Sequence, residues 1–331
     1  MFFSAAHQFL LYLSAVKHAS SHTVRAYCID LNALRFFLQK RLCVGASKEE
    51  LSSKISWQCR EETALPKVPG GCSLSLDKID RKLLRAFLAQ QQLGGLSRRS
   101  IVRSLSSLRT FFKFCKAMDL LEKDPSEGLA TPKIEKKVPQ SLSYDQVVKL
   151  FEQPDFCELL GLRDRAILEL FYSSGLRVSE LVGMNRSDFD SEQMLLKVRG
   201  KGKKERLIPI TQSAARWIVT YLACPQRYLD GEGHSAEVDS EAVFLNRFGK
   251  RLTGRSVDRL FDKYLKISGL AGKPTPHTIR HTIATHWLEN GMDLKIIQEL
   301  LGHSSLAATT IYTKVSMALK KRVYDAAHPR A

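Results

Sequence analysis

The sequence predicts a mainly helical protein with one small β-sheet, divided into two domains. Three observations carry this. The chain has 331 residues, enough for two cores at roughly 100–200 residues per domain. Apolar residues recur at helical three- and four-residue spacing in most segments, while strict alternation is confined to residues 194–210. Finally, Thr131-Pro-Lys-Ile-Glu-Lys-Lys-Val-Pro139 carries a proline near each end, and each restricts the residue before it to extended backbone. That stretch is read as a linker at 131–140 between domains at 1–130 and 141–331.

In the first domain a short helix is expected over 7–16. A longer one over 23–39, with Ser21 as its N-cap, buries Val24, Tyr27, Leu31, Leu34 and Leu38. Residues 79–91 repeat the pattern through Ile79, Leu83, Phe87 and Leu88, and residues 98–118 through Ile101, Leu105, Leu108, Phe112 and Cys115. The outer positions of this last helix hold Arg98, Arg99, Arg103, Arg109, Lys113 and Lys116. A row of charge is ordinarily a solvated face, but a row of one sign suits phosphate. Residues 43–75 have weak periodicity and contain Pro66, Pro69 and Gly70-Gly71, so they read as a long loop or insertion outside the bundle.

The second domain opens on a Ser143-x-x-Gln146 capping box. A helix over Arg163–Ser174 ends at Gly175. Residues Met194–Ile210 form a hairpin, with Val243–Leu245 as a possible third strand. Further helices span Ser256–Ile267, His277–Asn290 behind Pro276, and Leu294–Leu301 before Gly302.

Composition narrows the function. Hydrophobic residues are 44% and charged residues 26%, ordinary for a globular chain, but the net charge is +17. Residues 1–140 hold 23 basic and 12 acidic side chains and the remainder 28 and 22, so the excess is not a tail. Such a surplus suits a polyanion, and charge alone leaves DNA, RNA and an anionic membrane open. No run reaches the ~18 apolar residues of a membrane span. Met1–Val16 lacks a basic start, and His7 and Gln8 interrupt it, which argues against a signal peptide. The seven cysteines are odd in number and without a Cys-x-x-Cys pair, so they read as reduced thiols of a cytoplasmic protein, and no zinc site is expected.

Several signals cluster in the second domain. Gly175-Leu-Arg177-Val-Ser-Glu180 places an arginine just past a helix end, where a plain surface arginine is the alternative. Gly200-Lys201-Gly202-Lys203-Lys204-x-Arg206 is a basic turn, either a solvent-exposed hairpin tip or a phosphate contact through Lys201, Lys203 and Lys204. In His277-Thr-Ile-Arg280-His281 the residues 277, 280 and 281 share one helical face, and histidine beside guanidinium suits a phosphoryl site. The pair His277 and His281 has metal-ligand spacing, but the Glu of the zinc motif is missing and Arg280 would repel a dication, so no metal is expected. Gly302-His303 follows, and then Tyr312 in Thr309-Thr-Ile-Tyr-Thr313.

On these residues the chain resembles the tyrosine recombinases, the phage-integrase family. Arg177, Lys201, His277, Arg280, His303 and Tyr312 match that family's catalytic positions in order, and Ser21-His-Thr-Val-Arg-Ala-Tyr27 is similar to its N-terminal domain. The ending Tyr324-Asp-Ala-Ala-His-Pro-Arg-Ala331 is similar to the XerC-like subgroup. The resemblance implies an N-terminal SAM-like helical DNA-binding domain and a C-terminal α+β catalytic domain, closing as a C-shaped clamp on duplex DNA. It implies Tyr312 as the nucleophile forming a 3′-phosphotyrosyl link, and Arg177, Arg280 and His303 on the phosphate. Lys201 would be the acid for the leaving 5′ oxygen and His277 the base, with no cofactor. It further implies a double-stranded recombination site, a heterotetramer of two copies with two of a XerD-like recombinase, a role in resolving chromosome dimers at cell division, and contact with a division-associated DNA translocase. A phage or transposon integrase, a type IB topoisomerase-like enzyme and a non-cleaving accessory protein are the alternatives. The apolar residues Leu319, Val323 and Tyr324 make a C-terminal helical stripe, which could pack on its own domain and which the resemblance places on a neighbouring protomer.

Overall fold

The computed structural model describes residues 2–42, 54–56, 74–134, 141–200, 205–229, 237–270, 275–302 and 317–330. The chain divides into two compact units, Met1–Lys136 and Lys137–Ala331.

Four helices build the first unit: α1 (Phe2–Ala15), α2 (Ser21–Leu42), α3 (Arg81–Leu93) and α4 (Arg98–Ala117). Their apolar faces meet in one core. Phe9 lies edge-on to Phe111 and Tyr27, each at 5.5 Å between ring centres, and Leu31, Leu34 and Phe112 are fully buried. The helix starts are made by side chains. Asp80 accepts from the Leu83 amide at 2.7 Å and Ser97 from the Ser100 amide at 3.1 Å. The cap of α2 differs from expectation. Ser20, not Ser21, accepts from the Thr23 amide (3.2 Å), and Ser21 is already helical.

The 43–75 segment is also corrected in part. Most of it lies outside the described residues, but Ile55 and Leu74 belong to the core. Asn32 grips Ile55 by both backbone groups, accepting from its N–H (2.9 Å) and donating to its carbonyl (3.0 Å). The Leu74 carbonyl accepts from the Phe2 amide at 2.9 Å. A single apolar residue per contact gives no periodicity, so neither anchor was visible in the pattern.

The second unit is built around α6 (Leu159–Ser174), whose residues from Gly161 onward are nearly all buried. It packs on α8 (Gln212–Ala223) and α10 (Pro276–Glu289), with α5 (Tyr144–Phe151), α7 (Val178–Val182), α9 (Gly254–Ser268) and α11 (Leu294–Leu301) around it. Ser143 and Gln146 form the expected capping box on α5. Leu142, just before it, is fixed to α10 by Thr282 at its N–H (3.0 Å) and by His286 at its carbonyl (3.0 Å).

The sheet is antiparallel and three-stranded, in the order β1 (Phe189–Asp190), β2 (Leu195–Arg199), β3 (Glu205–Pro209), with Leu196 opposite Ile208 and Val198 opposite Arg206. The third strand is therefore Phe189–Asp190 and not Val243–Leu245, where Leu245 and the adjacent Ala242 make only single bridges. Buried arginines explain the difference. Arg227 donates to the carbonyls of Val243 (2.6 Å) and Ala242 (2.5 Å), and Arg163 to that of Leu245 (2.8 Å), taking the acceptors a ladder would need.

The C-terminal helix α12 (Met317–Ala327) lies in its own unit, with Tyr324 fully buried. Its hydroxyl donates to the Ser173 carbonyl (2.8 Å), its ring meets Trp287 at 5.9 Å, and Arg330 pairs with buried Glu169 (2.7 Å). Of the expected stripe, Tyr324 and the half-buried Val323 thus pack against the core of this unit, while the Leu319 side chain lies outside the described residues.

Candidate active site

Two helix ends and one strand converge in the second unit. Helix α6 ends at Gly175 in the left-handed region (φ 59°), and α11 ends at Gly302 likewise (φ 64°). A Cβ on Gly175 would stand 2.6 Å from Leu301 Cδ2, so a side chain there would have to displace that leucine as well as bear the left-handed backbone.

The last carbonyls of a helix lack intrahelical donors and carry partial negative charge. Three successive ones at the end of α11 each take a different guanidinium. Leu300 O accepts from Arg206 Nε (2.9 Å), Leu301 O from Arg280 Nη2, and Gly302 O from Arg177 Nη2 (2.9 Å). Arg280 also donates to Gly175 O, so one buried side chain joins the ends of α6 and α11. Glu180 lies at the centre. It accepts from Arg177 Nη1 (2.8 Å), from the Arg177 amide (2.8 Å), and from both Nη atoms of Arg206 (2.9 and 3.0 Å).

Electrostatics follows from this packing. Burial, then the adjacent Arg177 charge, lowers the Arg280 guanidinium to about 10, which still leaves it protonated at neutral pH. Burial works to raise the Glu180 carboxyl. The hydrogen bonds from Arg206 and from the Arg177 amide outweigh it and hold the carboxyl below its ordinary value. Three cations face one carboxylate, so the cluster carries excess positive charge suited to an oxyanion.

Of the residues singled out in the sequence, Arg177 and Arg280 come together here. His277 and Arg280 share α10, but Arg280 is buried while His277 is exposed and His281 half-buried. Lys201, Lys203, Lys204, His303 and Tyr312 lie outside the described residues. On α4, Arg98, Arg99 and Lys113 are exposed. Arg103 is also exposed and pairs with buried Asp30 of α2 (3.1 Å), whereas Arg109 is turned onto the Leu129 carbonyl and Thr131 Oγ1 (2.8 Å). Two members of the site escaped the sequence reading. Glu180 had a signal in its place three residues after Arg177, at the acidic position of a helix start. Arg206 had one in strand alternation, which puts it on the inward face with Ile208, where a charged group must find partners.

Among the described residues no helix is long and apolar enough to cross a membrane, and no cluster of His, Cys, Asp or Glu is placed to hold a metal.

Comparison with known proteins agrees with the arrangement. Residues 140–318 match the model of the phage integrase family, and residues 6–56 and 70–118 that of the phage integrase N-terminal SAM-like domain. The chain is 46% identical over 328 residues to tyrosine recombinase XerC of Chlamydia pneumoniae, covering 99% of each chain. It is 39% identical over 324 residues to tyrosine recombinase XerC of Syntrophus aciditrophicus, covering 98% of this chain and 97% of the relative. Its fold is shared with a lambda integrase dimer bound to a core site (TM-score 0.62, 21% identity, 95% of this chain and 98% of that one). The XerH recombinase bound to its difH substrate is similar too (TM-score 0.61, 21% identity, 90% and 78%). With both domain models matched in order, a relative aligned end to end, and the arginines of the motif gathered on one helix terminus, the chain belongs to the phage integrase family, the tyrosine recombinases.

Proposed function

We propose that Tyr312 is the nucleophile of this DNA strand-cleaving and rejoining enzyme, acting on a phosphate held by Arg177 and Arg280. The Tyr312 oxygen attacks the scissile phosphorus, the bond to the 5′ oxygen breaks, and a 3′-phosphotyrosyl link remains. Lys201 protonates the leaving 5′ oxygen and His277 takes the tyrosine proton, since a phenol of ordinary pKa ~10 is a poor nucleophile at neutral pH. His303 donates a further hydrogen bond to the phosphate. Rejoining is the reverse attack by a 5′-hydroxyl, so no external energy source is required.

The observation that supports this most is the anchoring of Arg177 and Arg280 on the adjacent carbonyls of Gly302 and Leu301, the residues leading directly into His303. Guanidiniums fixed in advance stabilise developing charge without reorganising, which is where such sites gain most of their rate.

The wider role follows the XerC relatives. Residues 1–130 bind the duplex, through Arg98, Arg99, Arg103 and Lys113 of α4 among others, and residues 141–331 cleave it. Two copies act with two of a XerD-like recombinase in the cytoplasm, resolving chromosome dimers at division under a division-associated translocase. The exposed cations of α4, together with the net charge of +17, support the DNA assignment.

A duplex nicked near the recombination site traps the intermediate, because the short cleaved strand diffuses away. Wild type should form a protease-sensitive covalent adduct, and Tyr312→Phe should bind equally well and form none. An adduct with the Phe variant would assign the nucleophile elsewhere.

A further inference from the structure

Arg206 is the second residue of β3, which pairs with β2 in the antiparallel sheet. Its guanidinium is committed in three directions. Nε holds Leu300 O at 2.9 Å, and Nη1 and Nη2 form a fork on the two Glu180 oxygens at 2.9 and 3.0 Å. It lies flat against Gly302, where a Cβ would sit 3.0–3.1 Å from its Cζ, Nη1 and Nε. Arg177 reaches the same carboxylate with Nη1 only and sends Nη2 to Gly302 O.

An arginine three residues from a buried carboxylate, with nothing else near, would take it in a bidentate pair. That pair would draw both Nη groups of Arg177 onto Glu180 and cancel its charge. Here the fork position is already filled by Arg206. We propose that Arg206 is a positioning residue for strand cleavage. By occupying Glu180 it keeps Arg177 stretched between Glu180 and Gly302 with its charge available to the scissile phosphate. Through Leu300 it also ties β3 to the end of α11. The proposal rests on the reading of Arg177 as a phosphate-binding residue.

The test is single-turnover cleavage at saturating protein on two nicked duplexes. One carries the ordinary scissile phosphate. The other carries a methylphosphonate there, in which a methyl replaces one nonbridging oxygen and removes the negative charge. Arg206→Gln, Arg206→Lys and Arg177→Ala are compared with wild type, with DNA affinity and melting temperature measured for each. Arg206→Gln should slow ordinary cleavage about 100-fold, the scale of a small displacement at a reacting centre. The deficit should shrink to a few-fold on the methylphosphonate, because no charge needs neutralising there. Arg206→Lys keeps the charge without the fork and should show a smaller deficit with the same shrinkage, and it carries the test if the glutamine variant melts early. Arg177→Ala should follow the same pattern more strongly. If both Arg206 variants lose equally on the two substrates, or lose nothing, while Arg177→Ala behaves as described, Arg206 is packing alone and the proposal falls. If Arg177→Ala cleaves the ordinary phosphate normally, the reading of Arg177 falls and takes this proposal with it.

Discussion

The chain uses arginine in two opposite ways. On α4, Arg98, Arg99 and Lys113 stand exposed, and Arg98 and Arg99 occupy the first turn, where the helix dipole disfavours cations by about 0.3–1 kcal/mol. At the end of α11, Arg177, Arg206 and Arg280 are held by backbone carbonyls and one carboxylate, with Arg280 buried. Exposed cations in water attract a polyanion from a distance but hold nothing in a fixed geometry. Carbonyl-anchored cations cost desolvation to assemble, yet they meet a transition state already oriented. Under the proposed function, this difference divides affinity and chemistry between the two units.

The largest effect should come from the anchored set. Arg280→Ala removes a buried charge and frees the carbonyls of both Gly175 and Leu301. Saturated single-turnover cleavage should fall about 10²–10³-fold, the range seen for loss of one oxyanion donor. Melting temperature should fall as well, since two buried acceptors are left unmade. Arg280→Lys should not restore the rate, because an ammonium cannot span two carbonyls as a fork does. If cleavage by either variant stayed near wild type, the anchored arginines would not carry the chemistry.

The exposed set should show the converse. Arg99→Ala combined with Lys113→Ala should weaken DNA binding alike on all sequences and flatten the slope of log affinity against log salt by about 0.9 per lost phosphate contact. Cleavage at saturation should be unchanged. Arg109→Ala, on the same helix, should leave that slope nearly intact, because Arg109 is spent on Leu129 and Thr131. A slope change equal to that of Arg99 would place Arg109 back on the DNA.

The smallest effect sharpens what burial alone does to a cation. His328 is buried in the C-terminal segment. Its Nδ1 accepts from the Arg330 amide at 3.0 Å and its Nε2 lies 3.4 Å from the Tyr172 carbonyl. Burial lowers its imidazole from 6.5 to about 3, so it is neutral where Arg280 stays charged. Below about 6.5 the unfolded chain therefore takes up a proton that the folded one refuses. Stability should fall as pH drops from that value, by at most ~1.4 kcal/mol per pH unit from this group. Melting curves between about pH 7 and pH 5 should be flatter for His328→Phe than for wild type. Parallel curves would mean that His328 is not held neutral by the fold.

Most helices were legible because their apolar residues recur at helical spacing and their ends carry capping residues such as Ser97, Ser143 and Gly175. Elements held by single side chains were not. Ile55 is fixed by Asn32 and the Cys28 thiol, and the carbonyls of Ala242, Val243 and Leu245 by two arginines, contacts that leave no periodic pattern in the sequence. The site divided in the same way. Arg177 and Arg280 stood out by motif order, whereas Glu180 and Arg206 acquire meaning only when α7, β3 and α11 meet. The α12 stripe shows a further limit. Its spacing announced a buried face without saying which surface would bury it, and for Tyr324 that surface is α6 and α10 of the same unit.

The division of labour between the two arginine sets is tested most directly on the wild-type protein, by measuring both affinity and saturated single-turnover cleavage across a salt series on one nicked duplex. Exposed charges are screened by added salt, while a buried one such as Arg280 is screened far less. Affinity should fall steeply, at roughly −0.9 in log–log slope per neutralised phosphate, while the cleavage rate at saturation stays nearly flat. A saturated cleavage rate that fell in parallel with affinity would contradict the account.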